Sequence, residues 1–253
     1  MTASLIDEPP DRVHAVESAF ELLEIIVEAG GEASLSELAA ASELPPPAFR
    51  RLLRTCEKLG CIRQLPCRRY GLGARLMRLG ESAIWQIQPV ARTRLVELVR
   101  RLGESASVAL RDGDKIICVA QQPSQQVMRT AGEVGTLSQL HNTAAGKAIL
   151  ASLSNQDVRR IISRTGWSSS PNAHRSIRSL LADLAAIRGQ GYAVDNEEQE
   201  LGARSYAVAI SHAPTLMAVS VSGPLSRLND VFGERAVPIL RRISVQLSHD
   251  LAG

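Results

Sequence analysis

The chain has 253 residues and a formal net charge of +3, with 45% hydrophobic and 22% charged residues. That length accommodates two domains, and that composition excludes a disordered or fibrous chain. No apolar run approaches the roughly 18 residues of a membrane span, and the N-terminal MTASLIDEPPDR lacks the apolar core of a signal peptide, so a cytoplasmic protein with no membrane partner is expected.

The charge is unevenly placed. Residues 1–44 hold one basic residue, Arg12, against ten acidic ones, a net of −9. Residues 45–80 hold nine basic residues against Glu57 alone, a net of +8, and eight of the nine are arginine. Arginine is the better fork for phosphate and guanine edges, so the basic window is a candidate nucleic-acid surface. Cys56, Cys61, Cys67 and Cys118 are expected as reduced thiols. The three that cluster lack the C-x2-C pairing of structural zinc, and neither metal nor cofactor is expected.

Val13, Val16, Phe20, Leu23 and Val27 recur at steps of three and four, which predicts a helix with that apolar stripe, ended by Gly30-Gly31. Ser34 and Glu37 form a capping box that opens a short second helix closing near Ala41. Pro45-Pro46-Pro47 suits the first turn of a third helix running to Gly60. Phe49, Leu52, Leu53 and Cys56 fall on its buried side, and Arg50, Arg51 and Arg54 on the opposite side. Strands at 61–63 and 69–72 flank Pro66-Cys67 as a wing, placing Arg68 and Arg69 at its tip. The pattern is a winged helix-turn-helix over residues 12–73, whose third helix enters the major groove and whose wing meets phosphates or the minor groove.

Residues 74–88 have helical spacing and predict a linker helix within 74–89. Pro89 starts a further helix that ends at Gly103. Strands at 105–111 and 115–122 flank Asp112-Gly113, a hairpin signal, and 126–130 is expected as another strand. Helices are expected at 143–152, at 155–164 (capped by Asn155) and at 176–189. Strands follow at 192–195, 205–211 and 216–222, with a turn at 212–215, and a last helix at 234–251. This mix predicts an α+β domain over residues 90–253, a sheet with helices packed on it.

The first 80 residues resemble the IclR family of bacterial regulators, on SLSELAAASELPPPAFRRLLRTCEKLGCIRQ and YGLGARLMRLG. Two departures stand out. Glu43 occupies a turn position where the family favours glycine, so strain is expected there. Pro47 and Ala48 stand where serine and threonine are usual, so the family's base contacts do not carry over. The resemblance continues in LHNTAAGKAIL (140–150), GYAVDNEEQELGARSYAVAI (191–210) and AVSVSGP (218–224), three motifs in the family's order. It implies a GAF-like or profilin-like α+β effector-binding domain, a homodimer or tetramer, and binding to a pseudo-palindromic double-stranded DNA operator.

The residues of these motifs suit anion capture. Thr143, Ala144 and Ala145 begin a helix, where unpaired N–H groups favour a carboxylate. Ser220 and Ser222 alternate onto one strand face and offer two hydroxyls to one cavity. The resemblance adds Asp195 and Ser205 as contacts to a small organic or aromatic acid; Ser205 stands where some relatives carry cysteine. An enzyme is the competing class, but the chain lacks a G-x-S-x-G elbow, a P-loop and paired metal-spaced histidines, and Asp195-Asn196-Glu197-Glu198 reads better as an acidic rim than as an acid/base pair. A ligand-independent architectural DNA-binding protein is the other alternative. The function expected is a DNA-binding transcriptional regulator controlled by a small carboxylic acid.

Overall fold

The computed structural model describes residues 13–85, 87–129, 133–213 and 215–252. Arg12, Gln86, Thr130 and Pro214, which fall within expected elements, lie outside the described residues. The chain divides into two units between Ala83 and Ile84.

The first unit holds α1 (His14–Glu28), β1 (Glu32–Ser34), α2 (Leu35–Ala41), α3 (Pro46–Lys58), β2 (Ile62–Gln64) and β3 (Arg69–Leu72). Its antiparallel sheet has the order β1-β3-β2. Ser34 caps α2 in the expected capping box, its Oγ accepting from the Glu37 amide while its own amide donates to the Glu37 carboxylate. Pro45 precedes α3, and two further prolines sit in its first turn, where the missing N–H costs nothing. Phe49, Leu53 and Cys56 of α3 pack on Leu22, Ile26, Leu38 and Tyr70.

Three expectations change here. The stripe read on α1 lies mostly on the wrong side of that helix: Val13, Val16, Phe20 and Val27 are 62%, 54%, 62% and 58% exposed, Leu23 packs on the core, and Leu22 and Ile26 are the buried residues. The helix is apolar on more than one side, and periodicity alone does not say which side faces the core. β1 was not anticipated, because three residues ahead of a capping box carry too little alternation to register as a strand. Glu43 does not have positive φ, so the strain expected there is absent; the left-handed non-glycine residues of the described chain are Arg68, Glu197 and His212.

α4 (Ala74–Trp85) follows, then the second unit: α5 (Gln88–Leu102), β4 (Ser105–Asp112), β5 (Lys115–Gln122), β6 (Leu137–Gln139), a 3-10 turn (Leu140–Asn142), α6 (Ala144–Ala151), α7 (Asn155–Thr165), α8 (Ile177–Gln190), β7 (Ala193–Asn196), β8 (Ala203–Ile210), β9 (Met217–Pro224) and α9 (Asp230–Ala252). Its six-stranded antiparallel sheet has the order β6-β5-β4-β9-β8-β7. Successive strand residues point to opposite faces. Ala106, Val108, Tyr206, Val208, Val219 and Val221 pack with α5 and α9, whereas Ala109, Ala193, Ala207 and Ala218 pack with α6, α7 and α8. The α+β class expected from the sequence is the one observed.

The strand expected at 126–130 is not formed over residues 126–129. Its apolar residues Val127 and Met128 are 98% and 71% exposed, and β6 pairs with β5 instead. α7 is capped by Ser154 rather than Asn155, the Ser154 Oγ accepting from the Asp157 amide at 3.1 Å. α9 starts at Asp230, four residues early, because Asn229 Oδ1 accepts from the Phe232 amide at 3.0 Å. The helix expected over 74–88 ends at Trp85, and Ile87 caps α5.

Candidate functional site

Two places bring the sequence candidates together. On α3 the apolar residues turn inward and Arg50, Arg51 and Arg54 are all exposed. They share a surface groove of about 660 Å³ with Pro46, Pro47, Thr55 and Lys58. The Thr55 hydroxyl donates its proton to the Arg51 carbonyl at 2.8 Å, so it faces the groove as an acceptor only. The face is therefore cationic.

The wing is a tight hairpin. Residues 65–68 form a turn closed by the Arg68 amide on the Leu65 carbonyl at 3.0 Å, and the Leu65 amide donates to the Arg69 carbonyl at 2.7 Å. Arg68 follows the turn in the left-handed region at φ 59, a place usually held by glycine. The two wing arginines differ. Arg68 is exposed at the turn, whereas Arg69 lies within β3, 3.0 Å from the Glu32 carboxylate and 3.2 Å from that of Glu37. Arg69 ties the wing to β1 and α2, so its guanidinium is already engaged.

In the second unit, all seven residues proposed as effector contacts line one cavity of about 140 Å³: Thr143, Ala144, Ala145, Asp195, Ser205, Ser220 and Ser222. α6 supplies the first three. The Thr143 hydroxyl is committed to the cap, accepting from the Gly146 amide at 3.0 Å, which leaves the Ala144 and Ala145 amides as first-turn donors without intrahelical acceptors. Gly146 is required there, because a Cβ would stand 2.3 Å from the Leu140 carbonyl oxygen. Ser107 and Ser220 join across β4 and β9 at 2.9 Å.

Asp195 is the cavity's buried charge, 2% exposed. Its Oδ1 accepts from the Glu198 amide at 2.8 Å and the Gln199 amide at 3.4 Å. Burial pushes its pKa up to about 6, aided by the Glu198 carboxylate; the two amide bonds and the Lys147 charge oppose the rise without cancelling it.

Behind the cavity, Lys147 is 2% exposed and its ammonium bridges Glu198 and, at 2.9 Å, Asp183. Asp183 also holds His174 at 3.0 Å. Burial works to raise the Asp183 pKa, but the His174 and Lys147 bonds win and hold it low. His174, Asp183 and Glu198 bring ligand atoms within 4.8 Å of one another, yet the Lys147 ammonium already sits on both carboxylates, so the group is an ion-pair network. Sequence reasoning missed it. The available signal was a lysine inside the apolar run AAGKAIL, which needs a partner if buried. Ser107, Cys118, Thr136, Ser138, Gln199 and Glu200 also line the cavity without having been singled out. Burial raises the Cys118 thiol to about 11.

Comparison with known proteins matches both units. The description "Bacterial transcriptional regulator IclR C-terminal" matches residues 83–249, and "IclR helix-turn-helix domain" matches residues 15–66. The transcriptional repressor IclR of Escherichia coli (strain K12) is 32% identical over 229 residues, covering 87% of this chain and 83% of that protein. The HTH-type transcriptional repressor AllR of the same strain is 30% identical, covering 85% of this chain and 82% of that protein. A putative IclR transcriptional regulator from Silicibacter sp. TM1040 has the same fold, with a TM-score of 0.85 at 24% identity over 94% of this chain and 96% of that one. So does an IclR homolog from Microbacterium hydrocarbonoxydans, solved complexed with 4-hydroxybenzoate, with a TM-score of 0.78 at 20% identity over 94% of this chain and 99% of that one. The curated relatives are named as regulators, not as enzymes. Two domain matches in the right order, joined to 32% identity over most of the chain, establish that it belongs to the IclR family of bacterial transcriptional regulators.

Proposed function

We propose that this regulator acts in the cytoplasm as a ligand-controlled repressor, and that a small organic acid in the 140 Å³ cavity sets its affinity for a pseudo-palindromic operator. The observation that carries the reading is the convergence of all seven residues named from sequence on that one cavity. Amides at the start of α6 receive the carboxylate, and hydroxyls of β8 and β9 orient the rest of the molecule. Arg50, Arg51, Arg54 and Arg68 contact DNA, with Arg69 holding the wing in register. The 4-hydroxybenzoate complex of the Microbacterium homolog supports an organic acid as ligand for this fold. Repression is the sense of control carried by the names of the curated relatives.

The working unit in this reading is a homodimer or a tetramer of this chain. The exposed stripe of Val13, Val16, Phe20 and Val27 on α1 supports a self-association surface, since water-facing apolar rows of this kind mark contact sites. Residues 12–73 form the DNA-binding part, 74–89 the linker and 90–253 the effector part. The effector acts by binding one placement of the paired heads more tightly than the other.

A thermal-shift screen of small carboxylic acids tests the reading, since a true ligand raises the melting temperature by mass action. A hit should lose its effect in Ala145→Asp, which sets a fixed negative charge at the start of α6, while operator retention in a gel shift persists. A hit whose affinity is unchanged in that variant would remove the cavity from the account.

A further inference from the structure

The cavity has an electrostatic feature that the choice of an acid as ligand leaves unresolved. Among the described residues that line it there is no lysine, arginine or histidine; the charged ones are Asp195 and Glu200, and seven others are hydroxyl residues. Asp195 faces the space from β7. Its Oδ1 is held by two amides, and Oδ2 accepts no hydrogen bond from a described residue. The charges acting on it are Glu198 of the following loop and Lys147 of α6, and it shares the cavity lining with Glu200, the hydroxyls of Ser107, Ser205, Ser220 and Ser222 on β4, β8 and β9, and the Cys118 thiol of β5. Lys147 does not neutralise Asp195, because its ammonium is already shared between Asp183 and Glu198. An anion entering beside an ionised Asp195 meets a like charge on a carboxylate that is itself only 2% exposed to water.

We propose that the cavity takes up a short monocarboxylate together with one proton, and that Asp195 Oδ2 is the atom protonated in the complex. The inference rests on the reading of this cavity as the effector site and adds how its charge is balanced. The ligand arrives ionised, its carboxylate accepts from the Ala144 and Ala145 amides, and a proton from solvent forms an O–H bond on Asp195. That O–H then donates to an oxygen of the ligand. A carboxyl whose pKa is already about 6 needs little further bias to take the proton near neutrality. The volume of about 140 Å³ is close to that of an apolar cavity known to hold a benzene ring, which favours a short acid over an extended one.

The test is calorimetric titration of the full-length protein with glycolate, lactate, pyruvate and benzoate between pH 5.5 and 8, in phosphate and in Tris, whose ionisation heats differ. All four probes stay ionised across this range. The expected result is an acid whose apparent Kd is nearly constant below pH 6 and rises about tenfold per pH unit above pH 7, with close to one proton absorbed per ligand at pH 8. Asp195→Asn keeps the Oδ1 acceptor for both amides, and in it the pH slope and the proton uptake should disappear. A wild-type Kd that does not change with pH, or a slope that survives in Asp195→Asn, overturns the proposal while leaving the effector site standing. Absence of binding by every probe at pH 5.5 overturns the effector-site reading itself, and the proposal with it.

Discussion

The Lys147 ammonium, 2% exposed, lies 2.9 Å from a carboxylate oxygen of Asp183 and bonds Glu198 on its other side. Removing one partner of a buried ion pair leaves the others desolvated and uncompensated. Lys147→Ala should destabilise the protein by about 3 kcal/mol, somewhat less than a fully buried pair because Asp183 keeps 30% exposure. Urea unfolding followed by circular dichroism reads this directly. A loss below about 1 kcal/mol would mean the network contributes no more than a surface pair.

Asp195 makes stability depend on pH in the direction opposite to a paired carboxylate. Its folded pKa of about 6 lies above the unfolded value of about 3.8, so the folded state binds the extra proton. Stability from this group is complete below pH 3.8, falls as pH rises through 6 and is constant above. Asp195→Asn should therefore be more stable than wild type at pH 7.5, by up to about 3 kcal/mol for a shift of two pKa units, and no more stable at pH 4. Paired melts at the two pH values check the sign; equal stability at pH 7.5 would contradict the burial argument.

The cationic face of α3 makes a separable claim. Arg51→Ala with Arg54→Ala should abolish operator retention in a gel shift and leave the melting temperature within a degree or two, since both side chains are exposed. Each arginine taken away from a phosphate should also flatten the salt dependence of log K by about one unit. Full retention by the double variant would mean that α3 does not enter the groove.

At the wing tip, Arg68 has φ 59, a conformation that costs a non-glycine residue about 1 kcal/mol. Backbone preference and charge pull in opposite directions there. Arg68→Gly should raise stability by up to about 1 kcal/mol while weakening DNA binding, whereas Arg68→Ala should weaken binding without the gain in stability. Fluorescence anisotropy on operator DNA, alongside thermal melts, separates the two effects. Unweakened binding by both variants would make the strained arginine irrelevant to DNA.

Much of this was readable before the fold was known, and the failures have physical causes. The capping box at Ser34, the prolines opening α3 and the Asp112-Gly113 hairpin are local chemistry, and each sits where the residues placed it. The cavity residues came from motif resemblance together with strand alternation, and they converge. The buried side of α1 was missed because burial is decided by α3 and Tyr70, which are remote in sequence. The strand expected near Val127 failed for a similar reason: β5 has one open edge, and β6 takes it. The engagement of Arg69 by Glu32 could not be read from a basic window, because its partner lies 37 residues away in the acidic one.

The sheet of the second unit separates two kinds of mutation. On β9, Ser220 and Ser222 line the cavity, while Val219 and Val221 belong to the core packed by α5 and α9. On β8, Ser205 and Tyr206 divide in the same way. Adjacent codons in these strands thus carry different burdens, one for what the cavity admits and the next for whether the domain folds. With the proposed effector site in this cavity, a lineage or an engineer would rewrite Ser220 and Ser222 to admit a different acid while Val219 and Val221 hold the scaffold, so retuning would need only point changes on one face.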